Sequence, residues 1–129
     1  MSAEANIESA KKAYAAFTAG NGVAAMANLS DDIEWIVSGE SAVSGTYRGM
    51  AQVGQLWAAL GERSFTISPQ RFLADDEVVV VLSTISVKGE SAEHAEQADV
   101  LTFRDGKVVQ FRSMADTAMQ ERVYGHKER

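Results

Sequence analysis

The sequence predicts an α+β domain, on three observations. Helical periodicity dominates before about residue 62. Long β-rich runs dominate from about 64 to 116, and no linker, repeat or low-complexity stretch separates the two. At 129 residues the chain is of ordinary size for one domain, so 1–129 is expected to form a single unit with its own core.

The elements follow in order. Ile7, Ala10, Tyr14 and Phe17 recur at helical spacing, with Glu8, Lys11 and Lys12 mostly off that stripe. Gly20-Asn21-Gly22 ends this helix. Val23–Leu29 is expected as a short second helix, Ser30-Asp31-Asp32 as a turn, and Ile33–Val37 as a short strand carrying Trp35. Ser38–Gly49, rich in Gly and Ser, reads as a loop. Val53, Leu56, Trp57 and Leu60 mark a third amphipathic helix that Gly61 terminates. Three long strands are expected at about Phe65–Leu73, Val78–Lys88 and Ala95–Arg104, with turns at Asp75-Asp76 and Lys88–Glu93. The only proline, Pro69, implies an edge strand or a bulge. Arg104-Asp105-Gly106-Lys107 is a hairpin turn, because Asp-Gly tolerates positive φ. Lys107–Ala115 is the last strand, and Asp116 precedes a short helix, Thr117–Tyr124.

Composition narrows the function. With no cysteine, the chain has no disulfide, thiolate nucleophile or cysteine-ligated metal, and this fits a reducing, cytoplasmic setting. A net charge of −6 without a basic stripe argues against nucleic-acid or anionic-membrane partners. Apolar runs such as Val78–Ile85 are too short to span a bilayer, and Met1–Asn6 carries Glu4 and no basic n-region, so no signal peptide is expected. The two histidines, His94 and His126, lie far apart and without ligand spacing. No metal is expected, and both are expected to face solvent.

Local motifs then point to a family. They are Tyr14-Ala-Ala-Phe-Thr-Ala-Gly-Asn at the end of the first helix, Ile33-Glu-Trp in the first strand, and Ser44-Gly-Thr-Tyr-Arg-Gly before the third helix. Phe103-Arg-Asp-Gly-Lys-Val enters the last strand, with Asp116 ten residues after Gly106. In this order the chain resembles the SnoaL-like and ketosteroid isomerase-like branch of the nuclear transport factor 2-like superfamily, over nearly its whole length. The resemblance implies a cone: three N-terminal helices packed on a strongly curved, mainly antiparallel sheet, one hydrophobic pocket, no cofactor, and a homodimer through the open sheet face. It covers isomerases, polyketide cyclases, dehydratases, epoxide hydrolases and non-catalytic binders, so it fixes fold more than function.

Three catalytic candidates come with the resemblance. Steroid isomerases of this kind hydrogen-bond an oxyanion with a tyrosine on the first helix and a protonated aspartic acid on the third long strand; Tyr14 and Asp99 occupy the matching positions. The apolar neighbours of Asp99 (Ala98, Val100, Leu101) favour a raised pKa. The other reading makes Tyr14 a core residue and Asp99 a solvated one. The isomerase base would fall at Ile36, which cannot accept a proton, so steroid isomerisation proper is not expected. Glu34 and Glu40 are the nearest carboxylates, with Glu34 facing away from the Ile33, Trp35, Val37 row and Glu40 in the loop.

Asp116 matches the acid or base of SnoaL-like cyclases. However, alternation places Val109, Phe111, Ser113 and Ala115 on the apolar face and Asp116 on the other unless a bulge intervenes, and an N-cap is the alternative role. The arginine and aspartate of the epoxide hydrolases are missing from Val78–Val87; Arg112 is a possible partner of Asp99 or Asp116. Trp35, Tyr47, Trp57, Phe72, Leu101, Phe103 and Met114 are the expected substrate-binding residues, with core packing the competing role. These residues lead to two expectations: a cofactor-independent acid/base enzyme on a small apolar carbonyl compound, or a non-catalytic binder of a small hydrophobic ligand.

Overall fold

The computed structural model describes residues 2–87 and 94–127. The order is α1 (Ala3–Thr18), α2 (Gly22–Ala25), β1 (Leu29–Val37), β2 (Gly45–Arg48), α3 (Gly49–Gly61), β3 (Thr66–Asp75), β4 (Val78–Ser86), β5 (His94–Arg104), β6 (Lys107–Met114) and α4 (Thr117–Tyr124). The six strands form one sheet in the order β2-β1-β6-β5-β4-β3. Every neighbouring pair is antiparallel except β1 and β6, which run parallel. The architecture is the α+β arrangement with a mainly antiparallel sheet that the sequence predicts.

The helices form for local reasons. Ser2 caps α1 by accepting from Ala5 N at 3.1 Å, and Glu4 lies in the favourable first turn. Asn6, Ala10 and Tyr14, four apart, are its buried face. The helix stops before Gly20, whose φ of 79° suits glycine. Gln52 reaches back to accept from Arg48 N at the start of α3. The inner sheet face packs under α1 at β3 and β4 and under α3 at β1 and β2. Ile33, Val53, Val79, Val81, Phe103 and Val108 are fully buried between the layers. The gap between the two helices leaves a cavity.

Several elements differ from the sequence reading. The helices are not three in an N-terminal row: α2 is a single turn, β1 and β2 precede α3, and α4 follows the sheet. Strand β1 takes in Ser30-Asp31-Asp32, because a register shift between Leu29 and Glu34 lets Asp31 and Asp32 face solvent while Leu29 and Ile33 stay buried. The loop before α3 contains strand β2, held by Trp35↔Tyr47 and Ile36↔Thr46 pairing. Pro69 lies on an edge strand beside a register shift between Pro69 and Arg71. The Asp105-Gly106 turn has φ values of 51° and 80°, as its composition requires. The turn expected at 88–93 lies outside the described residues, as does the His94 side chain. Among the described residues no helix is long and apolar enough to cross a membrane, and no group of three His, Asp or Glu side chains is placed to hold a metal ion.

Candidate functional site

Cross-strand register builds the site in two rungs on the inner face. One runs Val81–Asp99–Ser113–Val37 across β4, β5, β6 and β1. The next runs Val79–Leu101–Phe111–Trp35. A bulge sets the second rung: Thr102 pairs with Gln110 but Phe103 with Val108, skipping Val109, so both Val108 and Phe111 turn inward. The alternation expected for β6 therefore holds at Phe111 and Ser113 but not at Val109.

The cavity has a volume of about 80 Å³. Its walls are mainly aromatic and aliphatic, with Phe17 and Tyr14 from α1, Trp57 from α3, and Trp35, Leu101 and Phe111 from the sheet. Trp35 stacks on Phe111, centroids 3.6 Å apart and planes 8° from parallel, and meets Trp57 edge-on at 5.7 Å. Trp57 in turn meets Phe17 edge-on at 5.1 Å.

One polar cluster interrupts these walls. Asp99 is 0% exposed. Tyr14 Oη donates to its Oδ2 at 2.6 Å and Gln97 Nε2 to its Oδ1 at 2.9 Å, with the Ser113 hydroxyl a third donor. Burial drives the Asp99 pKa up from the ordinary 3.8 to about 6, against the pull of Tyr14, Gln97 and Ser113, which favour the carboxylate. The Tyr14 phenol is raised well above its usual value by burial first, then by the adjacent Asp99 charge and their hydrogen bond. The other polar wall side chains also bond within the protein: Asn28 Nδ2 donates to Ser9 Oγ and Gln120 Oε1 accepts from Ser41 Oγ.

The expected site residues divide on this geometry. Tyr14, Asp99, Trp35, Trp57 and Leu101 come together at the cavity. Asp116 does not: it is exposed and caps α4, its Oδ1 accepting from Met119 N at 3.0 Å, so of its two expected roles the structure places it in the cap. Tyr47 shares the Trp35 rung but packs at the sheet edge with Val37, Val43 and Leu56, its hydroxyl donating to Val43 O at 2.8 Å. Phe72 meets Tyr14 edge-on at 5.7 Å and is not part of the cavity wall. Phe103 is buried in the core away from the cavity, and Met114 points to the opposite sheet face, 47% exposed.

Neither Glu34 nor Arg112 reaches the interior. Glu34 pairs with Arg48 and accepts from Gln110 outside, while Arg112 is exposed. Glu40 is likewise exposed. Exposed His126 pairs with Glu121 at 3.1 Å. Sequence reasoning missed Gln97, Phe111, Ser113 and Phe17 as wall residues. The signal for Gln97 was available: it lies two before Asp99 on one strand and must share its face.

Comparison with known proteins agrees with this fold. Residues 10–111 match the SnoaL-like domain family, and the chain belongs to that family. An NTF2-like protein from Burkholderia xenovorans LB400 is similar at 30% identity, covering 96% of this chain and 98% of its own, with a TM-score of 0.77. TerC, co-crystallized with polyporic acid, is similar at 23% identity, 93% and 98% coverage, and a TM-score of 0.82. A candidate SnoaL-like polyketide cyclase from Jannaschia sp. CCS1 aligns at 14% identity, 95% and 92% coverage, and a TM-score of 0.77. No curated protein matches the sequence.

Proposed function

We propose that this domain is a cofactor-independent acid/base enzyme acting on a small, mostly apolar carbonyl compound, in the isomerase, cyclase or dehydratase range. One observation carries the reading: a wholly buried carboxyl hydrogen-bonded to a phenol at an aromatic cavity. With its pKa near 6, Asp99 is present in both protonation states close to neutrality, which suits a proton-transfer group. Protonated, it donates to Tyr14 Oη and frees the phenol proton for a substrate oxygen, so the pair can stabilise an enolate-like oxyanion. Ionised, it can accept a proton from the carbon beside that carbonyl. The likeness to TerC and to a candidate polyketide cyclase supports a small organic ligand.

A second reading, a non-catalytic binder, is favoured by a specific fact. Tyr14 and Asp99 are the only titratable residues in the cavity wall among the described residues. Ile36, at the position of the isomerase base, alternates with the cavity-lining Trp35 and Val37 and so faces away.

Absorbance titration with 4-nitrophenol as an oxyanion mimic separates the readings. Binding weakened about tenfold or more in both Asp99→Asn and Tyr14→Phe supports the oxyanion site. Binding indifferent to both substitutions supports the passive pocket.

The outer sheet face supports the homodimer implied by the resemblance. Leu73, Leu82 and Met114 are 45%, 37% and 47% exposed there, beside half-buried Val80 and Val100. A contiguous apolar strip on a sheet face is what a partner would cover.

A further inference from the structure

Ionised Asp99 carries a full negative charge, with no cation beside it among the described residues. Its three donors are a phenol, a carboxamide and a hydroxyl, all neutral. The cavity wall holds no lysine, arginine or histidine among the described residues. Lys11 stands outside it, over the Phe72 ring at 5.7 Å. Neutral donors reduce the cost of burying a charge but leave it uncompensated. A carboxylate has about four acceptor sites and Asp99 has three donors, so a ligand N–H can take the fourth once the side chains that keep Asp99 0% exposed move aside.

The rest of the wall suits a cation too. Phe17, Trp35, Trp57, Phe65 and Phe111 surround the space, and aromatic faces attract both cations and flat apolar groups. The net charge of −6 draws cations toward the chain. A cavity of about 80 Å³ admits little more than one ring.

From this geometry we infer that the cavity, with Asp99 ionised, binds a small arylalkyl ammonium ion, its N–H donating to the carboxylate and its ring lying among Trp35, Trp57 and Phe111. This goes beyond the proposed enzymatic reading, since it requires no reaction and uses the opposite charge state of the same carboxyl. The two are linked oppositely to protons. An ammonium ion binds the ionised form and expels a proton from Asp99 near pH 6, whereas an oxyanion binds the protonated form and takes one up. Of the groups facing Asp99, Tyr14 from α1 is titratable, and Val81, Ser113 and Val37 from β4, β6 and β1 are not.

Isothermal calorimetry on the full chain tests this with 2-phenylethylamine hydrochloride against neutral 2-phenylethanol, at about pH 5 and about pH 8, with two buffers of different ionisation enthalpy at about pH 6. The expected result is an amine preference of about tenfold or more at the higher pH, lost at the lower, with net proton release at pH 6. Asp99→Asn should bring the ratio of amine to alcohol affinity at about pH 8 close to one. The wild-type pH comparison stands even if that variant fails to fold. Equal affinities at about pH 8, no detectable amine binding, or a preference that survives at about pH 5 would overturn the inference. If 4-nitrophenol needs Asp99 and Tyr14 but the amine shows no preference, the enzymatic reading stands and this inference fails. The reverse pattern leaves this inference standing alone.

Discussion

Tyr14, on the first helix, donates its phenol proton to Asp99 Oδ2 across 2.6 Å, joining residues 85 positions apart in the chain. This bond ties α1 to the middle of the sheet and sets the charge behaviour of the cavity. Tyr14→Phe keeps the ring and its edge contact with Phe72 but removes one of three donors to Asp99. The carboxylate loses stabilisation, so the Asp99 pKa should rise above about 6, as read by carbon-detected NMR titration. At pH 8, urea unfolding should show a loss of about 2 kcal/mol, the usual worth of a hydrogen bond to a charged group. An unchanged Asp99 titration would contradict the bond.

Stability should depend on pH through the same carboxyl. The folded-state pKa of about 6 is raised above the ordinary 3.8, so the folded protein holds this proton more tightly than the unfolded chain. Its favourable contribution is complete below about pH 3.8 and is lost as pH rises through about 6. The swing amounts to about 3 kcal/mol. Glu34 and Asp32 act in the opposite sense, lowered mainly by hydrogen bonds from Gln110 and Ser30, but they are common to wild type and Asp99→Asn. Subtracting the two proteins' urea stabilities across pH 4–8 should isolate the Asp99 slope. A flat difference would show that Asp99 is not buried as described.

Asp116 should matter for folding and not for the cavity. Asp116→Ala removes the acceptor for Met119 N and should cost about 1 kcal/mol in thermal or urea unfolding. Asp116→Asn or Asp116→Ser should recover most of that loss. Affinity for 4-nitrophenol should stay at the wild-type value in all three. A large loss of affinity without loss of stability would return Asp116 to the site.

For the outer sheet face, the expected behaviour is self-association. Leu82→Glu combined with Met114→Lys places two charges on the exposed apolar strip. Sedimentation velocity should show a dimer for the wild-type chain and a monomer for the variant, with the near-UV spectrum of the half-buried Trp35 and Trp57 retained. A wild-type monomer at micromolar concentration would remove the dimer.

Much of the fold was legible because its signals are local. The Tyr14 stripe, Pro69, Asp105-Gly106 and the four-valine run each state their own geometry. What could not be read were register shifts. Leu29/Glu34 hides a turn-like Ser-Asp-Asp inside a strand, and Val109 is skipped so that Val108 and Phe111 can both be buried. A bulge is settled by packing across strands and leaves no mark in a single segment. The site was half legible for the same reason. Tyr14 and Asp99 followed from the family resemblance, and Trp35, Trp57 and Leu101 from their apolar character. Tyr47, Phe72, Phe103 and Met114 are equally apolar, but which side of a neighbour each occupies depends on three-dimensional packing. Family likeness was least informative at Asp116, where one carboxyl serves equally well as a helix cap.

The parallel contact between β1 and β6 has a cost in time. Every other strand pair joins neighbours in sequence and can close as it emerges, but β1 must wait for the last strand before both its edges are covered. During synthesis Trp35 therefore has no Phe111 to stack on, and Asp99 no Ser113, until most of the chain has been made. Nascent or truncated chains ending before β6 should expose β1 as an unpaired edge and be prone to aggregate.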